Sequence, residues 1–326
     1  MNEPTIDQSN TDDVVLDHAL RPKTWDQFVG QDQVKRGLTI VLEAARKQKR
    51  APDHILFSGP SGVGKTTLAH LIAHELGSKM TTTSGPTIQK TGDAAALLSN
   101  LEEGEVLFID EVHRLNKQIE EVMYPAMESR VLHLMIGKGV SSRSLELKLP
   151  RFTLIAATTR PSLLTGPFRN RFGALYHLDY YEPRDISEIL KRSSAMLGIA
   201  VDQQALDALA RASRATPRIA NRLLKRTWDL AIVRDAQRIG TSLVEESLDI
   251  LDIDKNGLEA LDRKFLHALV KTFNGGPVGI QTLAASLNEE QETLENVCEP
   301  YLLRLGLLER TARGRIATKQ AYEYLA

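Results

Sequence analysis

Gly59-Pro60-Ser61-Gly62-Val63-Gly64-Lys65-Thr66 is the stretch on which the reading of this chain turns. It fits G-x-x-x-x-G-K-[ST] at every defined position. The apolar run 55–57 precedes it, and a helical stretch, 67–76 closed by Gly77, follows. Gly62 and Gly64 let the backbone turn so that successive N–H groups face phosphate oxygens at a helix N-terminus. Lys65 adds a point charge for the β- and γ-phosphates, and the Thr66 hydroxyl is suited to Mg²⁺. Thr67 joins the binding set. The stretch predicts a nucleoside-triphosphate site with Mg²⁺ as its metal.

Such a site needs acidic groups at the end of a second buried strand. Val106-Leu107-Phe108-Ile109-Asp110-Glu111 supplies them. Asp110 is expected to hold Mg²⁺ through water, and Glu111 to polarise the attacking water. Two carboxylates suit hydrolysis better than mere binding, because metal coordination and water activation need separate groups.

Outward from these two motifs the chain falls into sections. Apolar runs at 55–57, 106–109, 153–156 and 175–178 alternate with helices starting near Asp32, Lys65, Lys117 and Ser162. That pattern predicts an α/β domain with a mainly parallel sheet over 19–181. Residues 1–18 lack periodicity and carry Asp12, Asp13 and Asp17, which reads as a frayed tail. After Glu182 the strand signal vanishes. Pro183, Asp202 and Thr216-Pro217 look like helix starts with apolar stripes behind them, so 182–254 reads as a small all-helical domain. In 255–326, Leu261, Phe265, Leu269 and Phe273 repeat at helical spacing up to Asn274-Gly275-Gly276-Pro277. Two further helices (281–287 and 289–305) and a hairpin turning at 311–314 make three helices followed by a wing, the winged-helix arrangement.

Composition narrows the function classes. The 326 residues are 42% hydrophobic and 25% charged, as expected of a soluble multidomain chain. Lys plus Arg is 41 against 42 Asp plus Glu, so any nucleic-acid site must be local. The wing is such a place: Arg304, Arg310, Arg313, Arg315 and Lys319 face only Glu309, although 255–326 as a whole carries nine basic and nine acidic residues. Concentrated charge favours phosphate contacts without base readout. The single cysteine, Cys298, excludes a disulfide framework and a four-cysteine zinc site. No apolar run approaches 18 residues and the N-terminus is polar, so no membrane span, no signal peptide and a cytoplasmic location are expected. His70 and His74 have zinc-compatible spacing, but Leu71 stands where the protease motif needs Glu. His113 completes Asp-Glu-Val-His, yet no second α/β lobe of the two-lobed helicases follows.

The phosphate loop, LFIDEVHRL (107–115), AATTR (156–160), FRNRFG (168–173) and TPRIANRLL (216–224) together resemble an AAA+ ATPase. With Leu20-Arg21-Pro22 and Phe28-Val29-Gly30-Gln31 before them and a winged helix behind, their order resembles the RuvB family, motors of bacterial Holliday-junction branch migration. The resemblance covers about residue 16 to the C-terminus. Ser61, Ala215 and Ala312 depart from it, standing where Pro, Gly and Pro are usual. It implies an α/β P-loop AAA+ ATPase domain, an all-helical lid domain and a C-terminal winged-helix domain.

The resemblance also implies roles. Leu20 and Arg21 would flank the base and ribose, and Tyr181 would close the site. Thr159 would be a polar sensor at a strand tip, and Arg218 a lid arginine reaching the phosphates. Arg171, or Arg169 two residues earlier, would be an arginine finger serving the neighbouring subunit's site. Glu128, Ser129 and Arg130 complete the expected nucleotide-binding set, and Arg310, Arg313 and Arg315 the DNA-binding set. The alternating Leu132, Leu134, Ile136 and Leu145, Leu147, Leu149 read as a projecting hairpin over 131–150, turning at 137–144. In the family that element docks onto RuvA. The implied assembly is a hexameric ring on duplex DNA at four-way junctions, with RuvA and the resolvase RuvC as partners. An origin-initiator-type AAA+ switch is the alternative, against which the hairpin argues. A clamp-loader-like subunit would lack the winged helix.

Overall fold

The computed structural model describes residues 19–136 and 143–326, so the expected tail at 1–18 lies outside the described residues. The chain divides into two compact units. One reaches to Asp185 and takes in Thr216–Arg218; the other comprises Ile186–Ala215 and Ile219–Ala326.

The first unit is built on five parallel strands: β1 (Ile55–Ser58), β2 (Met80–Ser84), β3 (Glu105–Asp110), β6 (Phe152–Thr158) and β7 (Ala174–His177). Their order is β2-β3-β6-β1-β7, with every pair parallel. β3 and β6 are buried along nearly their whole length because their side chains are apolar on both faces, as a helix-covered parallel sheet requires. The edge strand β2 (Met-Thr-Thr-Thr-Ser) escaped the sequence reading: half-exposed threonines give no apolar run. Helices α1 (Asp32–Lys47), α2 (Lys65–Glu75) and α4 (Lys117–Ser129) start where expected. α3 (Thr91–Ser99) is an addition, and near Ser162 only a 3₁₀ turn (Pro161–Leu163) and one α-turn (Gly166–Arg169) form. Asn116 caps α4, its Oδ1 accepting the Ile119 N–H at 3.0 Å.

After α4, β4 (Val131–Ile136) and β5 (Arg143–Lys148) pair antiparallel. The register sets Leu132 opposite Leu147 and Leu134 opposite Leu145. Leu132 and Leu149 are buried in the core beneath and Leu147 packs on it, whereas Leu145 is exposed. The hairpin base is therefore part of the domain core. The centre of the expected turn, residues 137–142, lies outside the described residues.

The second unit holds both the helical segment and the winged helix. Its helical part comprises α5 (Pro183–Leu197) from Ile186 onward, α6 (Gln203–Ala212), α7 (Pro217–Val233) from Ile219 onward and α8 (Thr241–Ile250). Next come α9 (Ala260–His267), extended by a π turn at Ala268–Thr272, and α10 (Ile280–Leu287). A second π turn, Leu294–Cys298, leads into α11 (Glu299–Arg304). The wing is β8 (Leu308–Thr311) against β9 (Gly314–Ala317), followed by α12 (Lys319–Leu325). Leu266, Leu269, Leu283, Leu294 and Leu302 fill the winged-helix core.

Candidate active site

β1 is flanked by β6 and β7, while the next strand in sequence lies at the far edge, so the loop leaving β1 opens at a topological switch point. Gly59, Gly62 and Gly64 all have positive φ. A Cβ on Gly59 would fall 2.2 Å from the Leu178 carbonyl oxygen, so no other residue fits. Lys65 opens α2 with its ammonium buried, donating to the carbonyls of Gly59 (2.9 Å) and Pro60 (2.6 Å). Burial pushes that ammonium down to about 8, opposed by the Asp110 carboxylate. Thr66 donates to Asp110 Oδ2 at 3.4 Å, joining the loop to the end of β3. Thr67 follows half-buried in the first turn of α2.

The acidic pair divides as its chemistry requires. Asp110 Oδ1 accepts the Glu111 N–H at 2.8 Å, while Glu111 takes a left-handed backbone (φ 47°) that swings its exposed side chain out of the strand direction. A hydroxyl and a carboxylate meeting at the phosphate loop are hard oxygen donors that suit Mg²⁺. Thr159 is exposed just past the end of β6, the central strand of the five.

Tyr181 and the segment before α1 close the other side. Tyr181 is buried and donates to the Val63 carbonyl at 3.2 Å. Its ring lies on Gly30, and the Phe28 ring on Gly64. Gln31 bonds the Asp179 carbonyl at 2.7 Å, Leu20 is buried and Arg21 half-buried. Thr216 and Arg218 stand over Gly62, where an added Cβ would come 3.1 Å from the Arg218 Cβ, and the Arg218 charge depresses the Lys65 ammonium further. Lys65, Thr66, Asp110 and Arg218 thus converge.

Arg171 lies elsewhere. It donates to the Pro167 carbonyl (2.7 Å) and to Glu128 (3.3 Å), and its guanidinium stacks on the Tyr124 ring at 4.4 Å. Phe168 and Phe172 are buried on either side and fix this turn. Gly173 abuts Asp53, and the Ala174 N–H bonds the His54 carbonyl, just before β1 begins. β1 and β7 are parallel, so the turn entering β7 and the loop leaving β1 occupy opposite ends of the sheet. A strand length of about 13 Å separates them. α4 runs back to the same end, with the Met127 carbonyl 3.1 Å from His54 Nε2. The structure therefore groups Glu128, Ser129 and Arg130 with Arg171 and not with the phosphate loop. Arg169 ends the short helix at the same edge.

One residue that the sequence reading set aside belongs near the site. His113 Nδ1 lies 3.0 Å from the buried Thr158 hydroxyl, which also accepts the Arg160 N–H. The histidine of Asp-Glu-Val-His thus ties the acidic motif to the sensor strand. Burial holds its imidazole below the ordinary value, with Glu111, Asp110, Arg114 and Arg160 around it.

In the wing, Arg310 and Arg315 are cross-strand partners and Arg313 is exposed at the turn. Arg315 corrects the expectation of a free phosphate ligand. It is only 8% exposed, and donates to buried Glu299 at 2.8 and 3.2 Å and to Glu295 at 3.4 Å. Its charge is spent inside the wing because β9 faces the π turn that carries Glu295 and the first residue of α11, Glu299. The Arg310 side chain is 57% exposed and reaches Glu299 through Nε at 3.1 Å.

Three family models match the chain. Residues 20–178 match "Holliday junction DNA helicase RuvB P-loop domain", 181–254 "RuvB AAA lid domain" and 255–326 "RuvB C-terminal winged helix domain". The "Holliday junction branch migration complex subunit RuvB" of Dehalococcoides mccartyi (strain CBDB1) is 49% identical over 316 residues, 97% of this chain and 90% of that protein. The solved RuvB Holliday junction branch migration motor of Thermotoga maritima superimposes with a TM-score of 0.85 at 46% identity. That match covers 94% of this chain and 98% of that one. A point mutant of the same Thermotoga protein gives 0.86 over the same shares.

Proposed function

The chain belongs to the RuvB family of ATP-dependent Holliday-junction branch-migration motors, and on that premise we propose how its residues divide the work. Lys65 neutralises the phosphates and the loop N–H groups cradle them. Thr66 and Asp110 would hold Mg²⁺, which supplies further charge neutralisation on the phosphate oxygens. Glu111 orients and deprotonates the attacking water. Thr159 and Arg218 sense the γ-phosphate from the sheet and from the lid, while Leu20, Arg21 and Tyr181 enclose the nucleoside. His113 positions the sensor strand through Thr158.

Arg171 completes a neighbour's site. The observation that carries this reading is the distance between Arg171 and its own phosphate loop across the sheet, together with the complete hydrolytic set on the near end. Glu128, Ser129 and Arg130 share its edge and serve the same neighbour, and Arg169 is the flanking candidate. A finger acting between subunits requires a ring, and a homo-hexamer on duplex DNA is the assembly proposed. Arg310 and Arg313 contact phosphates. Arg315 stays in the DNA set through Glu299, whose charge it offsets so that Arg310 can meet a phosphate.

The β4–β5 hairpin is the proposed RuvA dock, with exposed Leu145 on the face that continues the buried base. RuvC joins through the larger complex. The setting is cytoplasmic, in keeping with the finding that no described helix is long and apolar enough to cross a membrane. The test is strand exchange on a synthetic four-way junction, with and without RuvA. ATP-dependent migration enhanced by RuvA is expected. A protein that binds origin duplex in an ATP-switched way but never moves a junction would instead be an initiator-type switch.

A further inference from the structure

Arg214 lies in the turn between α6 and α7, and its contacts go to the winged helix. Its guanidinium donates to Asp262 at 2.5 Å and to the Val297 carbonyl, in the second π turn, at 2.7 Å. It also stacks on the Tyr301 ring at 4.4 Å. Arg214 is 7% and Asp262 1% exposed, so the pair is sealed from water. Asp262 in turn accepts the Glu259 N–H at 2.9 Å, which starts α9.

The segment joining lid to wing is tied down as well. Asp254 accepts the N–H groups of Asn256 and Leu258 and the Tyr324 hydroxyl. Arg263 donates to the Asp252 and Leu258 carbonyls. Gly257 has φ +80°, and a Cβ there would fall 2.6 Å from the Ala212 carbonyl oxygen, so this segment lies directly on the last turn of α6. Nothing here has the character of a free linker.

The same turn leads on to Arg218. Arg214 (φ 52°) and Ala215 (φ 56°) are both left-handed, a conformation that non-glycine residues adopt in succession only when their surroundings over-determine it. The Arg214 anchor supplies that constraint, and the chain then enters α7 at Thr216-Pro217-Arg218.

We infer that Arg214 is a positioning residue that fixes the lid to the winged helix as a single lever. Through it, the state of Arg218 at the phosphate loop and DNA contact at the wing bias one another. Coupling of this kind is reciprocal in binding. The inference rests on the roles given above to Arg218 and the wing.

Arg214→Ala alone leaves the Asp262 carboxylate buried without its partner, so the informative variant is Arg214→Met with Asp262→Asn, which removes both charges at similar volume. ATP turnover without DNA and DNA binding without nucleotide are expected to stay as in the parent. Stimulation of turnover by duplex DNA should fall about 2- to 30-fold, the span of residue-level couplings. The ratio of DNA affinities with a non-hydrolysable ATP analogue and with ADP should approach one. A folded double variant that keeps the parent's stimulation and affinity ratio overturns the inference. So does a loss of DNA-free turnover in step with stimulation, the pattern of mere structural damage. If Arg218→Ala retains normal turnover and DNA stimulation, the reading of Arg218 fails, and the lever fails with it.

Discussion

Lys65 donates to two loop carbonyls that an entering phosphate must replace, so its charge is held ready at the loop. Its burial has a consequence in pH. Phosphate binding selects the protonated ammonium, and the ammonium of the free protein titrates near 8 instead of 10.5. ATP affinity should therefore fall about tenfold per pH unit above about 8, with proton uptake on binding, until the value of the complex is reached. Calorimetry in two buffers of different ionisation heat reads this directly. Equal affinities on both sides of pH 8 would show that Lys65 does not need its proton.

The two ends of the acid–base division separate by mutation. Lys65→Ala should bind nucleotide poorly, whereas Glu111→Gln should bind ATP as the parent does and barely turn it over, because the amide cannot take the water's proton. Near-normal hydrolysis by Glu111→Gln would move the water-activating role to another group.

At the scale of elements, the wing is a hairpin whose charges are partly neutralised from within. Arg310→Ala with Arg313→Ala should weaken DNA binding to a similar degree on all sequences and flatten its salt dependence, since each phosphate contact releases counterion. A loss confined to particular sequences would indicate base readout instead. Arg315→Ala should behave differently, leaving buried Glu299 with only the half-exposed Arg310 as its cationic partner, at a cost of up to about 3 kcal/mol in the stability of the winged helix. Thermal unfolding of the single variants distinguishes the two classes.

His54 marks another element-scale dependence. Its Nδ1 accepts the Leu154 N–H at 2.9 Å and its Nε2 meets the Met127 carbonyl, so the neutral ring joins the entry to β1 with β6 and α4. Burial lowers its value from 6.5, so on acidification the unfolded chain takes up the proton first. The contribution of this ring is complete above 6.5 and is lost as pH falls towards its folded value, with a slope of at most about 1.4 kcal/mol per pH unit. The urea midpoint of the P-loop unit should drop from pH 7 to pH 5.5, and His54→Gln should reduce that drop.

At the scale of the whole molecule, the finger assignment is a statement about assembly. Arg171→Ala should still bind ATP and DNA but hydrolyse roughly 10³–10⁵-fold more slowly, the range for fingers of this kind. Its own phosphate loop is intact, so mixing it with Lys65→Ala protein should restore turnover at sites that pair an intact Lys65 with a neighbour's Arg171. No recovery at any mixing ratio under subunit exchange would place the finger in cis or at Arg169.

The local sequence determined a good deal unaided. The phosphate loop, the acidic pair, the strands β1, β3, β6 and β7 and the wing were all legible. Each rests on short-range rules: glycine at positive φ, apolar runs for doubly covered strands, turn residues between β8 and β9. What escaped lacked a local signal. The threonine-rich edge strand β2 has no apolar run, and His113 has its partner 45 residues away on β6. Arg315 looked like its exposed neighbours until Glu295 and Glu299 were brought against it. Only tertiary structure placed Arg171 at the far end of the sheet from Lys65 and turned Arg214 into the winged helix. Burial and ion pairing depend on which distant segments meet, and a sequence period of two or 3.6 residues carries no record of that.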